Sequence, residues 1–275
     1  MRYYIQIIRP LNLLITAFAS AAAYFIVAEK LDYSVLTLII ISTVLTAGAG
    51  NIINDILDID IDTVNKPLRP LPSKNMKVSA AYILYFVLAA GSITAGFFLG
   101  YHSFAAVILV NFILLLYTVF LKRKPFWGNF VVAFIGGYLF YFCSITAGNF
   151  SKILPLAISA FLFHFIREII KDIADIKGDS HARADTMAIR IGVKKTVNLV
   201  RALMITLAFY LTYLMLSGNY SVIFPVIILA AVFPVIVFIM ISLYRDAENI
   251  NYERLSMIMK IDMIFGILAF YFGIL

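Results

Sequence analysis

Residues 36–62 read LTLIIISTVLTAGAGNIINDILDIDID, an uncharged apolar run that passes directly into a cluster of aspartates. No charged side chain occurs between Asp32 and Asp55, an interval of 22 residues. A helix needs about 20 predominantly apolar residues to cross the hydrocarbon core of a bilayer. The run is therefore long enough to span a membrane, and the acidic groups that follow it would lie at the membrane surface.

The rest of the chain has the same apolar character. Of its 275 residues, 63% are hydrophobic and only 13% are charged. A soluble domain is about half apolar and about a quarter charged, so this chain has too little polar surface to fold in water. Backbone groups in lipid must be bonded internally, which leaves helices or a closed barrel. Because the apolar runs are long and do not alternate, the sequence predicts an all-α integral membrane protein.

The apolar runs predict nine transmembrane helices. The connections between them are short, so we expect residues 1–275 to form a single transmembrane domain. The first run is long enough to span the membrane and lacks a clear signal-peptide cleavage site. The predicted spans are residues 11–28, 33–57, 79–99, 103–121, 128–147, 153–176, 197–217, 221–243 and 256–274.

The basic residues predict the orientation of these helices. The N-terminus and the connections after the even-numbered spans, with the adjoining helix ends, carry 20 of the 22 Lys and Arg residues, and the other side carries only Lys30 and Lys152. The positive-inside rule therefore places the basic side, and an active site formed there, in the cytoplasm. The net charge of +7 suits anionic lipids or anionic substrates. Nucleic acid is not an expected partner, because the basic residues are interleaved with aspartates.

The aspartates form an internal repeat. Two triplets share the same three-and-four spacing, and they end the second and the sixth predicted span. They are Asp55, Asp58 and Asp62, and Asp172, Asp175 and Asp179. The second and sixth spans cross the membrane in the same direction, so both triplets should lie at the cytoplasmic face. Gene duplication would explain this pseudo-repeat.

The spacing within the first triplet indicates a metal site. On a helix, Asn54, Asp58 and Asp62 recur every four residues and share one face. Carboxylates one turn apart repel each other, and desolvation near the membrane adds to that cost. A divalent cation removes both problems, and hard oxygen ligands suit Mg²⁺, which usually takes one or two carboxylates plus substrate phosphate oxygens. Two facing acidic clusters could therefore hold two metals with a diphosphate between them.

Other residues near the motifs have weaker predictions. Gly178 indicates that the second motif helix frays or turns there, and Asp60 lies off the motif face and is expected to be solvent-exposed or structural. Basic side chains around the motifs could take the remaining charge of the diphosphate. The candidates are Arg69, Lys122, Arg183 and Lys66.

At these residues the chain resembles the UbiA superfamily of intramembrane prenyltransferases, over essentially its whole length. The family's Asn-x-x-x-Asp-x-x-x-Asp motif falls on Asn54, Asp58 and Asp62, and its Asp-x-x-x-Asp motif falls on Asp175 and Asp179. The resemblance implies a UbiA-like bundle of nine helices in which these five residues hold Mg²⁺ against the diphosphate of a prenyl donor.

The resemblance extends to shorter elements. A Tyr-x-x-x-Lys element of the family is only approximate, because Tyr117 and Lys122 are five residues apart rather than four, which weakens the assignment of Lys122 to the diphosphate. Ile-Arg-Pro-Leu-Asn at residues 8–12, Arg-Pro-Leu-Pro-Ser at residues 69–73 and Lys-Arg-Lys-Pro at residues 122–125 resemble the branch that makes archaeal ether lipids.

That branch implies a reaction and its partners. The expected reaction transfers a geranylgeranyl group from geranylgeranyl diphosphate to the free hydroxyl of geranylgeranylglyceryl phosphate, a phosphorylated lipid held in the bilayer. Asp172 is a candidate base for the hydroxyl proton. The residues expected to bind the acceptor phosphate are Arg183, Lys74 and His181. The oligomeric state is left open.

Other functions remain open from the sequence. A prenyltransferase of the same family could act on an aromatic acceptor such as 4-hydroxybenzoate or a quinone precursor, although the excess of cations favours a phosphorylated one. An ion-coupled transporter would carry its acids near the bilayer midplane, whereas these triplets lie at one face. A lipid phosphatidyltransferase would need an Asp-Gly…Ala-Arg pattern before its aspartates, and none is present.

Overall fold

A computed structural model describes residues 2–122, 124–182, 184–245 and 250–274. Within these ranges the chain is helical, with no strand. The α-helices, in chain order, are α1 Arg2–Ile7, α2 Pro10–Val27, α3 Tyr33–Leu57, α4 Ile59–Asn65, α5 Val78–Phe98, α6 Tyr101–Leu116, α7 Trp127–Ala147, α8 Phe150–Ala174, α9 Ile176–His181, α10 Met187–Ile191, α11 Val193–Leu216, α12 Ile223–Ile227, α13 Phe233–Arg245 and α14 Tyr252–Ile274. Two π-helical turns, Tyr117–Leu121 and Ile228–Val232, extend α6 and join α12 to α13.

The prediction of nine transmembrane helices is confirmed. In the described residues, nine helical segments are long and apolar enough to cross a bilayer: α2, α3, α5, α6 with its π-turn, α7, α8, α11, α12 with α13, and α14. The chain is a multi-pass membrane protein, and the short helices α4, α9 and α10 lie in the connections between its spans.

The main difference from the predicted spans lies at the starts of two helices. α11 begins at Val193 rather than residue 197, and α14 begins at Tyr252 rather than residue 256. Their first turns carry Lys194 and Lys195, and Glu253 and Arg254, respectively. Hydropathy detects only the part of a helix that crosses lipid, whereas the helical hydrogen bonds continue through these charged turns.

The helix α8 lies inside the bundle and positions the second aspartate motif. It packs against α7, α11 and α14. Its Ile166, Ile169 and Ile170 are fully buried. Large apolar side chains on other helices, such as Phe86 and Phe209, are instead exposed, as expected of surfaces that face lipid tails. The second motif is therefore carried on a helix that neighbouring helices hold on several sides.

Each aspartate motif is a bend between a long and a short helix. Asp58 separates α3 from α4 with φ −99° and ψ 8°, and Asp175 separates α8 from α9 with φ −91° and ψ 3°. Across each bend the next aspartate donates its backbone N–H to the bend residue, Asp62 at 2.8 Å and Asp179 at 3.1 Å. The two triplets thus adopt the same local structure, which agrees with the predicted repeat.

The expected turn at Gly178 is wrong in position. The helix bends three residues earlier, at Asp175, and Gly178 lies within α9. The reason for a glycine there is space: a Cβ atom at Gly178 would lie 2.3 Å from the Asn65 side-chain nitrogen. Asn65 Nδ2 donates to the Asp175 carbonyl oxygen at 2.9 Å, and Gly178 N–H donates to Asn65 Oδ1 at 2.9 Å. Asn65 therefore links α4 to α9 and holds the two aspartate motifs side by side.

Replacing Gly178 by alanine should loosen this contact. We expect Gly178→Ala to lower the free energy of unfolding, because overpacking costs about 1–3 kcal/mol while alanine gains about 1 kcal/mol in helix propensity. The measurement is thermal unfolding in detergent. Gly266→Ala is the matched control, since a Cβ there meets nothing within 4 Å. Equal unfolding temperatures for Gly178→Ala and the wild type would show that the α4–α9 contact has room for a methyl group.

Candidate active site

A cavity of about 770 Å³ lies within the bundle, with side chains of α2, α3, α6, α7, α8 and α14 in its wall. The aspartate motifs form one end of it, referred to below as the motif end and defined by Asp58 and Asp175. Val107, Leu139 and Ile267 belong to its apolar wall. A cavity with one charged end and apolar walls suits a ligand with a charged head and a long apolar chain.

The structure brings most of the predicted site residues together in this cavity. The predicted residues that line it are Asn54, Asp58, Asp62, Lys66, Arg69, Lys122, Asp172, Asp175 and Asp179. Asp60 is exposed, as its position off the motif face predicts. Arg183 lies outside the described residues.

Two residues predicted to bind phosphate lie elsewhere. Lys74 is exposed in the connection between α4 and α5, where its φ is 58°, and it does not line the cavity. His181 ends α9 and is exposed. At about 100° per helical residue, His181 points about 200° away from Asp179, which faces the cavity. Neither residue is retained below as a phosphate ligand.

The first motif is held by ion pairs. Lys122 pairs with Asp58. Arg69 Nη1 lies 2.5 Å from Asp62 Oδ2 and 3.2 Å from Asp55 Oδ1, and Arg9 also pairs with Asp55. Asp55 is buried and does not line the cavity, so it holds Arg9 and Arg69 from the side away from the cavity.

A π-helical turn explains the unusual spacing of Tyr117 and Lys122. The turn begins at Tyr117, and the Lys122 N–H donates to the Tyr117 carbonyl oxygen at 2.8 Å, an i→i+5 bond. The wider turn absorbs the additional residue, so Lys122 follows Tyr117 by one turn and its ammonium group reaches Asp58. Single π-turns are frequent at functional sites.

The second motif has fewer cationic partners. Lys66 Nζ lies 3.1 Å from Asp175 Oδ1, and Asn129 Nδ2 donates to Asp172 Oδ2 at 2.9 Å. The Asp179 side chain has no ion pair with any other described residue. This end of the cavity therefore retains negative charge that its own cations do not neutralise.

Burial makes the negative charge of these carboxyl groups costly to hold. Burial raises the pKa of Asp62 above its ordinary value, and the adjacent Arg69 opposes the rise. Burial, with help from the charges of Asp175 and Asp58, raises the pKa of Asp179 to about 6. The negative form of each group is thus held at an energetic cost that a bound cation would relieve.

The donor set fits a metal that is shared with a substrate. No group of three or more His, Cys, Asp or Glu side chains within the described ranges is arranged to hold a metal alone. The carboxylates at the motif end are hard oxygen ligands, and cations already pair with Asp58, Asp62 and Asp175. Mg²⁺ usually takes one or two carboxylates and completes its shell with water and phosphate oxygens, so these residues fit Mg²⁺ together with a diphosphate.

Several cavity residues were not identified from the sequence. The sequence marks Arg9 as a flanking charge within Ile-Arg-Pro-Leu-Asn and assigns it no role at the site, yet Arg9 lines the cavity. Its φ is 56°, immediately before Pro10. A second set lies deeper on α8 and α14: Arg167, Glu168, Lys171 and Lys260. The feature that could have identified them is their position: they are charged residues inside predicted spans, where an ionisable residue is a functional candidate by default.

Comparison with known proteins identifies the family. The model of the UbiA prenyltransferase family matches residues 13–261. The chain belongs to this family. The predicted resemblance is thereby confirmed, and the cavity with its two aspartate motifs is the candidate active site of a UbiA prenyltransferase.

Individual relatives and solved structures of the UbiA family are similar to this chain over most or all of its length. The chain is 41% identical to digeranylgeranylglyceryl phosphate synthase of Methanoregula boonei, over 71% of each chain, and 33% identical to that of Methanosphaera stadtmanae over 100% of each. A solved structure described as digeranylgeranylglyceryl phosphate synthase in membranes superposes with a TM-score of 0.75 at 24% identity, covering 99% of this chain and 98% of that one. A UbiA homologue from Archaeoglobus fulgidus bound to GPP and Mg²⁺ gives 0.72 at 16% identity, covering 98% and 99%.

Proposed function

We propose that this protein transfers a geranylgeranyl group from geranylgeranyl diphosphate to the hydroxyl of geranylgeranylglyceryl phosphate, forming an ether bond. The observation that carries the proposal is the cavity, which joins two aspartate motifs at one end to apolar walls within the membrane helices. The relatives named as digeranylgeranylglyceryl phosphate synthases, one of which aligns over the full chain, support this acceptor.

The two parts of the donor bind in different regions of the cavity. The apolar chain lies along the apolar walls, and the diphosphate lies at the motif end. Mg²⁺, when bound there, neutralises the diphosphate and makes it a better leaving group. The residues that would hold it are Asn54, Asp58, Asp62, Asp175 and Asp179.

The cations of the motif end serve the diphosphate. Lys122, Arg69 and Lys66 are each paired with a motif carboxylate. When the donor binds, these cations donate hydrogen bonds to its phosphate oxygens as well, and such charge-assisted bonds are among the strongest in proteins. They stabilise the charge that collects on the departing diphosphate as the allylic carbon–oxygen bond breaks.

The acceptor hydroxyl then forms the new bond. Its oxygen attacks the allylic carbon, and its proton becomes acidic as the ether bond forms. Asp172 lines the cavity and is oriented by Asn129, which donates to it at 2.9 Å. It is the proposed base for that proton. The apolar walls exclude water, which would otherwise compete with the acceptor for the allylic cation.

The active site is proposed to face the cytoplasm. The motif end lies with the short helices α4 and α9, in two connections on the side of the predicted topology that carries 20 of the 22 Lys and Arg residues. The positive-inside rule favours that side, and labelling of a single cysteine introduced at exposed Asp60 in intact cells would test it.

The proposed reaction is tested with purified protein in detergent. The mixture contains Mg²⁺ and labelled geranylgeranyl diphosphate, with geranylgeranylglyceryl phosphate or 4-hydroxybenzoate offered separately. We expect ether product from the glyceryl phosphate and none from the aromatic acid. Product from the aromatic acid alone would keep prenyl transfer but contradict the acceptor, and no product from either would contradict the proposal.

A further inference from the structure

Three basic side chains form a second charged group in the same cavity. Arg167 and Lys171 lie one turn apart on α8, and Lys260 lies on α14; all three line the cavity. Arg167 Nε donates to the Ser256 carbonyl oxygen at 3.3 Å and so ties α8 to α14. Ser256 precedes Lys260 by one helical turn. Arg167, Lys171 and Lys260 therefore come together across the interface between the two helices, and they are referred to below as the basic cluster.

The basic cluster carries more positive charge than its partners neutralise. Glu168 accepts from Arg167 Nη1 at 2.8 Å and from Lys171 Nζ at 2.7 Å, so both of its oxygens are engaged. Lys260 has no hydrogen bond or ion pair with any described residue. Three cations against this one carboxylate leave a formal charge of +2.

Other charges near the cluster do not cancel this excess. Glu253 lines the cavity but is exposed in the first turn of α14, where solvent screens it. Arg9 lines the cavity too, and its charge is paired with buried Asp55. Lys260 is repelled by the positive charges of Arg167, Arg9 and Lys171 and attracted by the negative charge of Glu168. Asp172 and Asp175 also act on Lys171 through their charges, but Asp175 is paired with Lys66 and Asp172 accepts from Asn129. Among the described residues, neither carboxylate forms an ion pair with the three cations, so the excess positive charge remains largely on Lys260 and Arg167.

The position of the cluster makes an anionic ligand favourable. Arg167 precedes Asp175 by eight residues on the same helix, a distance of roughly 12 Å along the axis towards the membrane interior. Uncompensated charge at that depth is costly. A phosphate monoester carries about −1.5 to −2 at neutral pH, which matches the excess.

We infer that the basic cluster binds the phosphate of the lipid acceptor, without a metal. This inference rests on the proposed function. It gives the two anions of the reaction separate places: the diphosphate at the acidic motif end, where Mg²⁺ is needed, and the monoester at the cluster. The acceptor's glyceryl unit then lies between them, with its hydroxyl directed to the donor. The cluster takes the role predicted from the sequence for Arg183, Lys74 and His181, of which Lys74 and His181 lie outside the cavity.

Lys260→Met and Lys171→Met test the inference through the Michaelis constants of both substrates. Each variant should raise the KM for geranylgeranylglyceryl phosphate by about tenfold or more, the loss expected for one charge-assisted hydrogen bond. The KM for geranylgeranyl diphosphate should stay within about twofold. Lys260→Arg, which keeps the charge, should restore most of the acceptor binding. Lys195→Met is the matched control, because Lys195 is exposed and outside the cavity.

A dephosphorylated acceptor, geranylgeranylglycerol, isolates the contribution of the phosphate. The wild type should use it poorly, and its KM should be the same in the wild type and in Lys260→Met. If the two methionine variants leave the KM for the phosphorylated acceptor unchanged while the wild type makes product, the inference is wrong and the proposed function stands. An equal rise in KM for both acceptors, or for donor and acceptor alike, would indicate a structural role and also overturn it.

Binding without the donor tests the cluster even if no transfer occurs. Labelled geranylgeranylglyceryl phosphate should bind the wild type in EDTA and bind Lys260→Met at least about tenfold more weakly. Equal binding by the two proteins would overturn the inference. Wild-type binding that depends on Lys260, with no ether product, would instead support the cluster and contradict the proposed reaction.

Discussion

Asp62→Asn should lower the rate of prenyl transfer by about two to three orders of magnitude, whereas Asp60→Asn should leave it within about twofold. The first figure is the typical loss on removing one group that stabilises developing charge. Both aspartates lie in α4, but Asp62 is buried and lines the cavity while Asp60 is exposed. Asparagine keeps the shape of the side chain and removes the charge that would hold Mg²⁺. The measurement is the initial rate of ether formation at saturating donor and acceptor.

The pair of variants separates a specific role from a general effect of charge. Asp62→Asn leaves Arg69 paired with Asp55 at 3.2 Å, so the protein should still fold. Thermal unfolding of both variants checks this. The second motif offers the same comparison, with Asp179→Asn against exposed Asp185→Asn. If Asp60→Asn loses as much activity as Asp62→Asn, the assignment of the motif face is wrong.

Much of the fold is readable from the sequence because lipid restricts the choices. The long uncharged runs allow only helices, and nine such runs give the nine spans. The bends at Asp58 and Asp175 are not readable, because both occur inside stretches whose helical periodicity continues unbroken. The sequence predicts the starts of α11 and α14 four residues too late, because the first turns of both helices are charged.

The site is readable only in part. Motif spacing correctly predicts that the five proposed metal ligands share one cavity, since residues four apart on a helix share a face. The contacts that organise these ligands join distant positions: Arg9 with Asp55, Lys122 with Asp58, and Asn65 with Gly178. No local pattern encodes such pairs, because each depends on how separate helices pack. The same limitation explains why the sequence wrongly predicts Lys74 and His181 at the site, although the side chains of both are exposed.

Removing the metal with EDTA should abolish transfer while leaving the protein folded. The diphosphate departs with several negative charges, and without Mg²⁺ the cations at the motif end must neutralise it alone. The same cations keep the metal-free protein intact, because Lys122, Arg69 and Lys66 remain paired with Asp58, Asp62 and Asp175.

The unfolding temperature in detergent should therefore fall by no more than about 3 °C in EDTA, equivalent to about 1 kcal/mol for a chain of this size. Excess Mg²⁺ should restore the rate fully. Ca²⁺ should restore less, because it is larger and takes more ligands at longer distances. A large fall in unfolding temperature would mean that the metal is needed to hold the fold together. The ion pairs of Lys122, Arg69 and Lys66 with the motif aspartates would then not be enough to stabilise the metal-free protein. Full activity in EDTA would mean that Lys122, Arg69 and Lys66 neutralise the leaving diphosphate without a metal, and the carboxylates would need another role.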